Sequence, residues 1–152
     1  MTENSPGNPL DSVSTLTFDI FGTVLDLAGS IVPPLEEILR SCEAHESITG
    51  ADVWSHWRQR QRIEQYQDNL LMLGHSGYQA VMKRALLYSL RTLKIELTCE
   101  QIEELMKAYQ GLTPFQDSID GLKRLGTKYQ LVILSNGEGR YLEHLVKNRI
   151  GI

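Results

Sequence analysis

The sequence predicts an α/β fold, a doubly wound parallel sheet with an all-helical insert. Three observations carry that prediction. Two apolar runs of strand length, residues 16–21 and 131–134, each lead into a turn, Gly22-Thr23 in one case and Ser135-Asn136-Gly137 in the other. The second run, Leu131-Val132-Ile133-Leu134, has no polar alternation, the pattern of parallel strands covered on both faces. Between the two runs, residues 49–110 read as helix throughout, so the order is strand, helix, three helices, helix, strand, helix.

The first strand is expected to end near Asp19. A loop with Gly29 follows, then a helix from about Ser30 to Ala44, with Ser30 as N-cap and Pro33 and Pro34 in its first turn. Three helices come next, Asp52 to about Asn69, Ser76 to about Leu93, and Thr98 to Gln110. The third is the clearest. Thr98 and Gln101 form a capping box, and Ile102, Leu105, Met106 and Tyr109 share a face. Thr113-Pro114 opens a connection to a helix near Asp117 to Leu125, which Gly126 is expected to stop. The last strand and turn lead into a helix carrying Tyr141, Leu142, Leu145 and Val146. The domain division that follows is a tail over 1–14, an α/β core from 15–29 and 112–152, and a helical cap over 30–111.

Composition bounds the function classes. With 152 residues, 41% hydrophobic and 22% charged, the chain has the make-up of one ordinary globular domain. Nineteen acidic against 15 basic residues leave a formal net charge of −4, which gives no reason to expect nucleic acid or an anionic membrane as partner. No apolar run approaches bilayer-spanning length, and Met1–Ser14 lacks the basic start and apolar core of a signal peptide. It reads as a disordered tail. Cys42 and Cys99 stand far apart without a CxxC motif, so free thiols in a cytoplasmic protein are expected. His45, His56, His75 and His144 show no metal-ligand spacing.

Ligands of such sheets bind outside the carboxyl ends of the strands, where Asp19 and Ser135-Asn136 both lie. A carboxylate at a strand end followed by Gly and Thr suits a nucleophile held by the donors of its turn; it equally suits an Asp that only caps a turn. The Ser hydroxyl and Asn amide on the same rim favour the first reading, because together they can hold a carboxylate or a leaving anion. Trp54 and Trp57, one helical turn apart, either wall a pocket or pack the core. Arg58, Arg60 and Arg62 alternate along their helix and read as a solvated surface.

FDIFGTVLD, residues 18–26, resembles the first motif of the haloacid dehalogenase superfamily, in which the Asp is the covalent nucleophile. LVILSNG, residues 131–137, resembles its second motif. HWRQRQ, residues 56–61, with Tyr66 downstream, is similar to the cap helix of the L-2-haloacid dehalogenases, and LTPFQDS, residues 112–118, to their return from cap to core. The resemblance implies a hydrolase acting on carbon–halide bonds, with a small 2-halo acid as substrate and no cofactor or metal. Asp19 would displace the halide to form an ester, which water then hydrolyses to a 2-hydroxy acid. Arg58 would contact halide and substrate, and Thr23, Ser135 and Asn136 would hold Asp19 and the substrate carboxylate. Phe21 is assigned to the substrate site where the family usually has Tyr, so a hydroxyl is missing there.

Phe21 also weighs between superfamily chemistries. The phosphatases resemble Asp-x-Asp, whose second Asp protonates a leaving alkoxide; Phe21 has no proton to give, and a halide needs none. A magnesium-dependent phosphatase is therefore the second reading. The family core continues with further strands, a catalytic lysine and an acidic segment, whereas this chain ends at Gly151-Ile152. A C-terminally shortened core is expected on that resemblance, and with it a third reading, an inactive remnant that forms a homodimer or associates with another chain.

Overall fold

The structure, a computed structural model, describes residues 12–42, 47–72, 74 and 76–151, with backbone alone at 68 and 69. Residues 1–11 of the expected tail, the expected helix end at Ala44, and His45 and His75 lie outside the described residues. The elements are β1 (Thr15–Phe18), β2 (Leu25–Asp26), α1 (Leu27–Ser41), α2 (Gly50–Leu70), α3 (Tyr78–Leu93), α4 (Cys99–Ala108), β3 (Thr113–Pro114), α5 (Ser118–Gly126), β4 (Gln130–Ile133) and α6 (Gly139–Leu145). A 3₁₀ turn, Tyr109–Gly111, follows α4, and a π turn, Val146–Ile150, follows α6. No described helix is long and apolar enough to cross a membrane.

β1 and β4 pair in parallel, with Phe18 opposite Ile133. The Leu134 amide continues the ladder to the Phe18 carbonyl at 2.8 Å, so Asp19 and Ser135 leave the sheet at the same end. The covering of β4 differs from the sequence expectation. Leu131 and Ile133 are half-buried, while Val132 is 39% and Leu134 70% exposed, so among the described residues one face of this strand is open. An unbroken apolar run therefore marks a parallel strand here without marking full cover.

The start of α1 is also corrected. It begins at Leu27, not Ser30, because the Asp26 carboxylate accepts from the Gly29 amide at 2.8 Å and so caps the helix. Ser30 lies inside the first turn, where its hydroxyl donates to the Asp26 carbonyl and accepts from the Thr113 amide at 2.9 Å. Pro33 and Pro34 consequently sit in the second turn and remove two helical donors. Burial of Leu27, Ile31, Leu35, Ile38 and Leu39 along one face holds the helix against that loss. α4 follows expectation, with the Thr98–Gln101 capping box formed in both directions. The segment after the 3₁₀ turn is more than a connection: Thr113 and Pro114 pair antiparallel with Asp26 and Leu25, which ties the two crossings between sheet and helices into a short ribbon.

α1 to α4 pack on one another around Leu35, Val53, Trp57, Met82, Leu86 and Leu105, all essentially inaccessible. Trp57 donates its indole N–H to the Met82 carbonyl at 2.8 Å and meets Trp54 and Tyr109 edge-on at 5.8 and 5.2 Å. Both tryptophans thus pack the core rather than wall a pocket. The same apolar cluster runs on without a break through Ile20, Phe21, Leu122, Tyr141 and Leu145. Continuity of packing is what holds α2, and the arginines on it, over the strand ends.

Candidate active site

Asp19 is exposed at the end of β1. The chain behind it folds into a tight loop, in which Val24 and Leu25 amides reach the Ile20 carbonyl at 3.1 and 2.9 Å and the Gly22 amide reaches the Leu25 carbonyl at 2.9 Å. Gly22 adopts φ +86°, a conformation that a side chain resists, which is why the turn signal sits there. This curl returns Thr23 to Asp19, and the Thr23 hydroxyl donates to Asp19 Oδ2 at 3.0 Å. A carboxylate oriented this way on one oxygen can present the other to an electrophile.

A cleft of about 590 Å³ opens between α2 and the turn after β4. Arg58, Arg62 and Tyr66 line it from the helix, and Ser135, Asn136 and Glu138 from the turn. Three of the residues expected at the site, Arg58, Ser135 and Asn136, therefore meet in one place. The turn is held by close fit: a Cβ on Gly137 would stand 2.8 Å from Leu142 Cδ2 and 3.1 Å from the Phe21 ring. Asp19 lies outside this cleft. It borders an apolar cavity of about 520 Å³ formed with Ile20, Leu122, Ile133, Val146 and Ile150. Phe21 lines neither space; it is buried, stacked face to face on Tyr78 at 4.5 Å and beside Tyr141 at 5.9 Å.

Tyr78 joins the two places. Burial pushes its phenol above the ordinary tyrosine range; the Arg58 charge and hydrogen bonds from the Gln61 and Arg58 side chains oppose that, and the Asp19 charge adds to it. Both the nucleophile candidate and the cap arginine therefore act on one phenol. Tyr109 is raised further, by burial and then by its tyrosine neighbour Tyr78, and burial also raises Tyr141. The sequence reading passed over Tyr78, Gln61 and Glu138: Gln61 closes the HWRQRQ run without a role assigned to it, and Tyr78 and Glu138 stand in no recognisable local pattern. Arg62 is a correction: one helical turn from Arg58, it shares the cleft face instead of pointing away. Arg60 is engaged elsewhere, paired with Glu64 at 2.6 Å and stacked over Tyr88. Among the described residues no group of three or more His, Cys, Asp or Glu could hold a metal ion.

No family model matches the chain. The (S)-2-haloacid dehalogenase 4A of Burkholderia cepacia is 30% identical over 139 residues, which cover 91% of this chain and 56% of that protein. This chain is haloacid-dehalogenase-like. A crystal structure of a dehalogenase matches the haloacid-dehalogenase-like fold with a TM-score of 0.77 at 28% identity, covering 91% of this chain and 58% of that one. The L-2-haloacid dehalogenase of Xanthobacter autotrophicus with chloropropionic acid covalently bound matches at a TM-score of 0.68 and 27% identity, over 90% of this chain and 51% of that one. The haloacid-dehalogenase-like chain thus spans little more than half the length of these relatives.

Proposed function

We propose that the chain carries the nucleophile and the anion-binding side of a hydrolase that acts on short (S)-2-halo acids. One Asp19 carboxylate oxygen attacks C2 of the acid from the side opposite the halogen, forming a C–O bond. The carbon–halogen bond breaks, and the halide leaves with the electron pair. Water then adds to the aspartyl ester carbonyl, the bond from that carbon to the ester oxygen breaks, and the departing alkoxide takes a proton from the water, giving the 2-hydroxy acid and, as the second proton leaves to solvent, the Asp19 carboxylate. Thr23 orients the nucleophile, Arg58 receives the halide, and Ser135 and Asn136 hold the substrate carboxylate. Phe21 supports the site through its ring. The observation that carries this reading is Asp19, held by Thr23 at 3.0 Å, leaving the sheet at the same end as the Ser135-Asn136 turn under Arg58. The relative with chloropropionic acid covalently bound supports an ester intermediate.

On this reading no cofactor takes part, since a halide leaves without acid or metal assistance. The protein works in the cytoplasm, in keeping with Cys42 and Cys99 as free thiols. Residues 15–29 and 112–152 form the core and 30–111 the cap, and the β2–β3 ribbon at their crossings supports the division. The open face of β4, with Val132 and Leu134 exposed, favours self-association as the macromolecular contact.

The test is halide release from (S)- and (R)-2-chloropropionate by the protein and by Asp19→Asn, with and without magnesium. Release from the (S) acid alone, lost in Asp19→Asn and indifferent to magnesium, is the expected result. Activity that survives the substitution, or that requires magnesium, overturns the mechanism.

A further inference from the structure

The cleft between α2 and the turn after β4 has opposite charges on its two walls, Arg58 and Arg62 on the helix and Glu138 on the turn. Among the described residues Glu138 forms no ion pair with either arginine. Its Oε2 is buried and has no hydrogen-bond partner. Its Oε1 lies against the start of α3, 2.6 Å from where a Cβ on Gly77 would stand. Gly77, at φ +93°, also holds a backbone conformation that a side chain resists, so the chain keeps this space open on two counts. The carboxylate is thus set in place by packing rather than by partners. A buried carboxylate oxygen that has given up water without gaining a donor is costly, and folded chains leave few such atoms.

We propose that Glu138 selects the substrate by accepting a hydrogen bond from a donor on its C3, a hydroxyl or an ammonium group, so that the preferred acids carry such a donor beside the halogen-bearing carbon. The proposal rests on the dehalogenase reading and deepens it by naming a specificity-determining residue and a substrate class. Glu138 stands two residues past Asn136 in one turn, a separation of at most about 7 Å between Cα atoms. An acid whose carboxylate is held by Ser135 and Asn136 therefore has its C3 substituent within reach of Glu138. The polarity fits the same assignment. The arginines on the facing wall can only donate, whereas Glu138, the one carboxylate lining this cleft among the described residues, can only accept when ionised. A methyl group on C3 leaves that acceptor unanswered, and a site with a buried polar group discriminates strongly against an analogue that cannot pair with it. The cleft, at about 590 Å³, has room for the larger substituent.

The experiment is calorimetric titration of the whole protein with lactate, glycerate and isoserine, 2-hydroxy acids that differ only in a hydrogen, hydroxyl or ammonium group on C3. It is repeated on Glu138→Gln and Glu138→Leu, with thermal melts of each. Glycerate, isoserine or both are expected to bind about tenfold or more tightly than lactate, the effect of a hydrogen bond to a charged group. Glu138→Leu should bring the preferred acid to the level of lactate. Glu138→Gln separates the two donors: its amide carbonyl still accepts from a hydroxyl but carries no charge, so a preference for glycerate persists and one for isoserine falls. Equal binding of all three acids by the unaltered protein overturns the inference, as does binding of none, or a preference that survives Glu138→Leu. If Glu138 only holds the turn against Gly77, Glu138→Gln lowers the melting temperature and no C3 preference is seen, which also overturns it. Should Glu138→Leu not fold, the order of the three acids on the unaltered protein still decides. Halide release from 2-chloropropionate and 2-chloro-3-hydroxypropanoate keeps the two readings apart. Asp19-dependent release from both, with no C3 preference, removes the role of Glu138 alone. A Glu138-dependent preference among the hydroxy acids, without halide release from either chloro acid, keeps the donor site and removes the dehalogenase.

Discussion

Replacing Trp57 by Phe tests how the helices are held over the strand ends. Trp57 is fully inaccessible, donates to the Met82 carbonyl at 2.8 Å, and precedes Arg58 on α2. The substitution keeps an aromatic ring but deletes the N–H and one ring edge. The lost hydrogen bond costs about 1 kcal/mol. The Met82 carbonyl limits that figure, since inside α3 it also accepts the helical bond from four residues on and is not orphaned. The space left by the smaller ring adds roughly another 1 kcal/mol, because a close-packed interior relaxes only in part. The sum is about 2 kcal/mol. With a urea m-value of about 1–3 kcal/mol/M, the midpoint should fall by roughly 0.7–2 M at unchanged m. Equilibrium urea unfolding followed by far-ultraviolet circular dichroism reads this directly. A shift of less than about 0.5 kcal/mol would show that the bond from α2 to α3 does not tie the helices together, and the account of how Arg58 is placed would fail with it.

Two further outcomes follow from the same site. Gly137→Ala places a methyl 2.8 Å from Leu142 and 3.1 Å from Phe21, so either the Leu142 side chain or the Ser135-Asn136 turn must give, and the buried Phe21 ring favours the turn; halide release should drop roughly tenfold or more while the melt changes little, and unaltered turnover refutes the positioning. Burial holds Tyr78, Tyr109 and Tyr141 protonated beyond the ordinary tyrosine range. Their raised folded-state values mean that the stability they contribute is complete below about pH 10 and is lost as pH rises above it. Phenolate absorbance should therefore show three of the six tyrosines ionising only as the chain unfolds; ionisation of all six in the intact fold contradicts this.

What the sequence made legible follows the range of the interactions involved. The Thr98–Gln101 box was readable because both partners stand three residues apart and satisfy each other through the backbone between them. Asp19, Gly22 and Thr23 were readable for the same reason: the loop that joins the carboxylate to the hydroxyl closes within five residues, from 19 to 23. The α1 cap was misassigned because Asp26 and Ser30 are both good cap residues, and the choice depends on Thr113, which arrives from the far side of the helical block to occupy Ser30. The cover of β4 was over-read for a related reason. A run of Leu, Val and Ile records β-propensity, and propensity is silent about which neighbours arrive on each face.

Tyr78 is the sharpest case. Nothing beside it in the sequence marks it, since it opens a helix as a plain apolar-face residue after Ser76 and Gly77. Its importance comes from Phe21 in the Asp19 loop, Arg58 and Gln61 on α2, and Tyr141 on α6, four contributions from three separate segments. Motif residues are legible when the backbone alone brings them to the chemistry. A residue recruited by packing becomes visible only when the burial and the partners of its neighbours are known, and a phenol stacked between rings from two other segments is then the signal that singles it out.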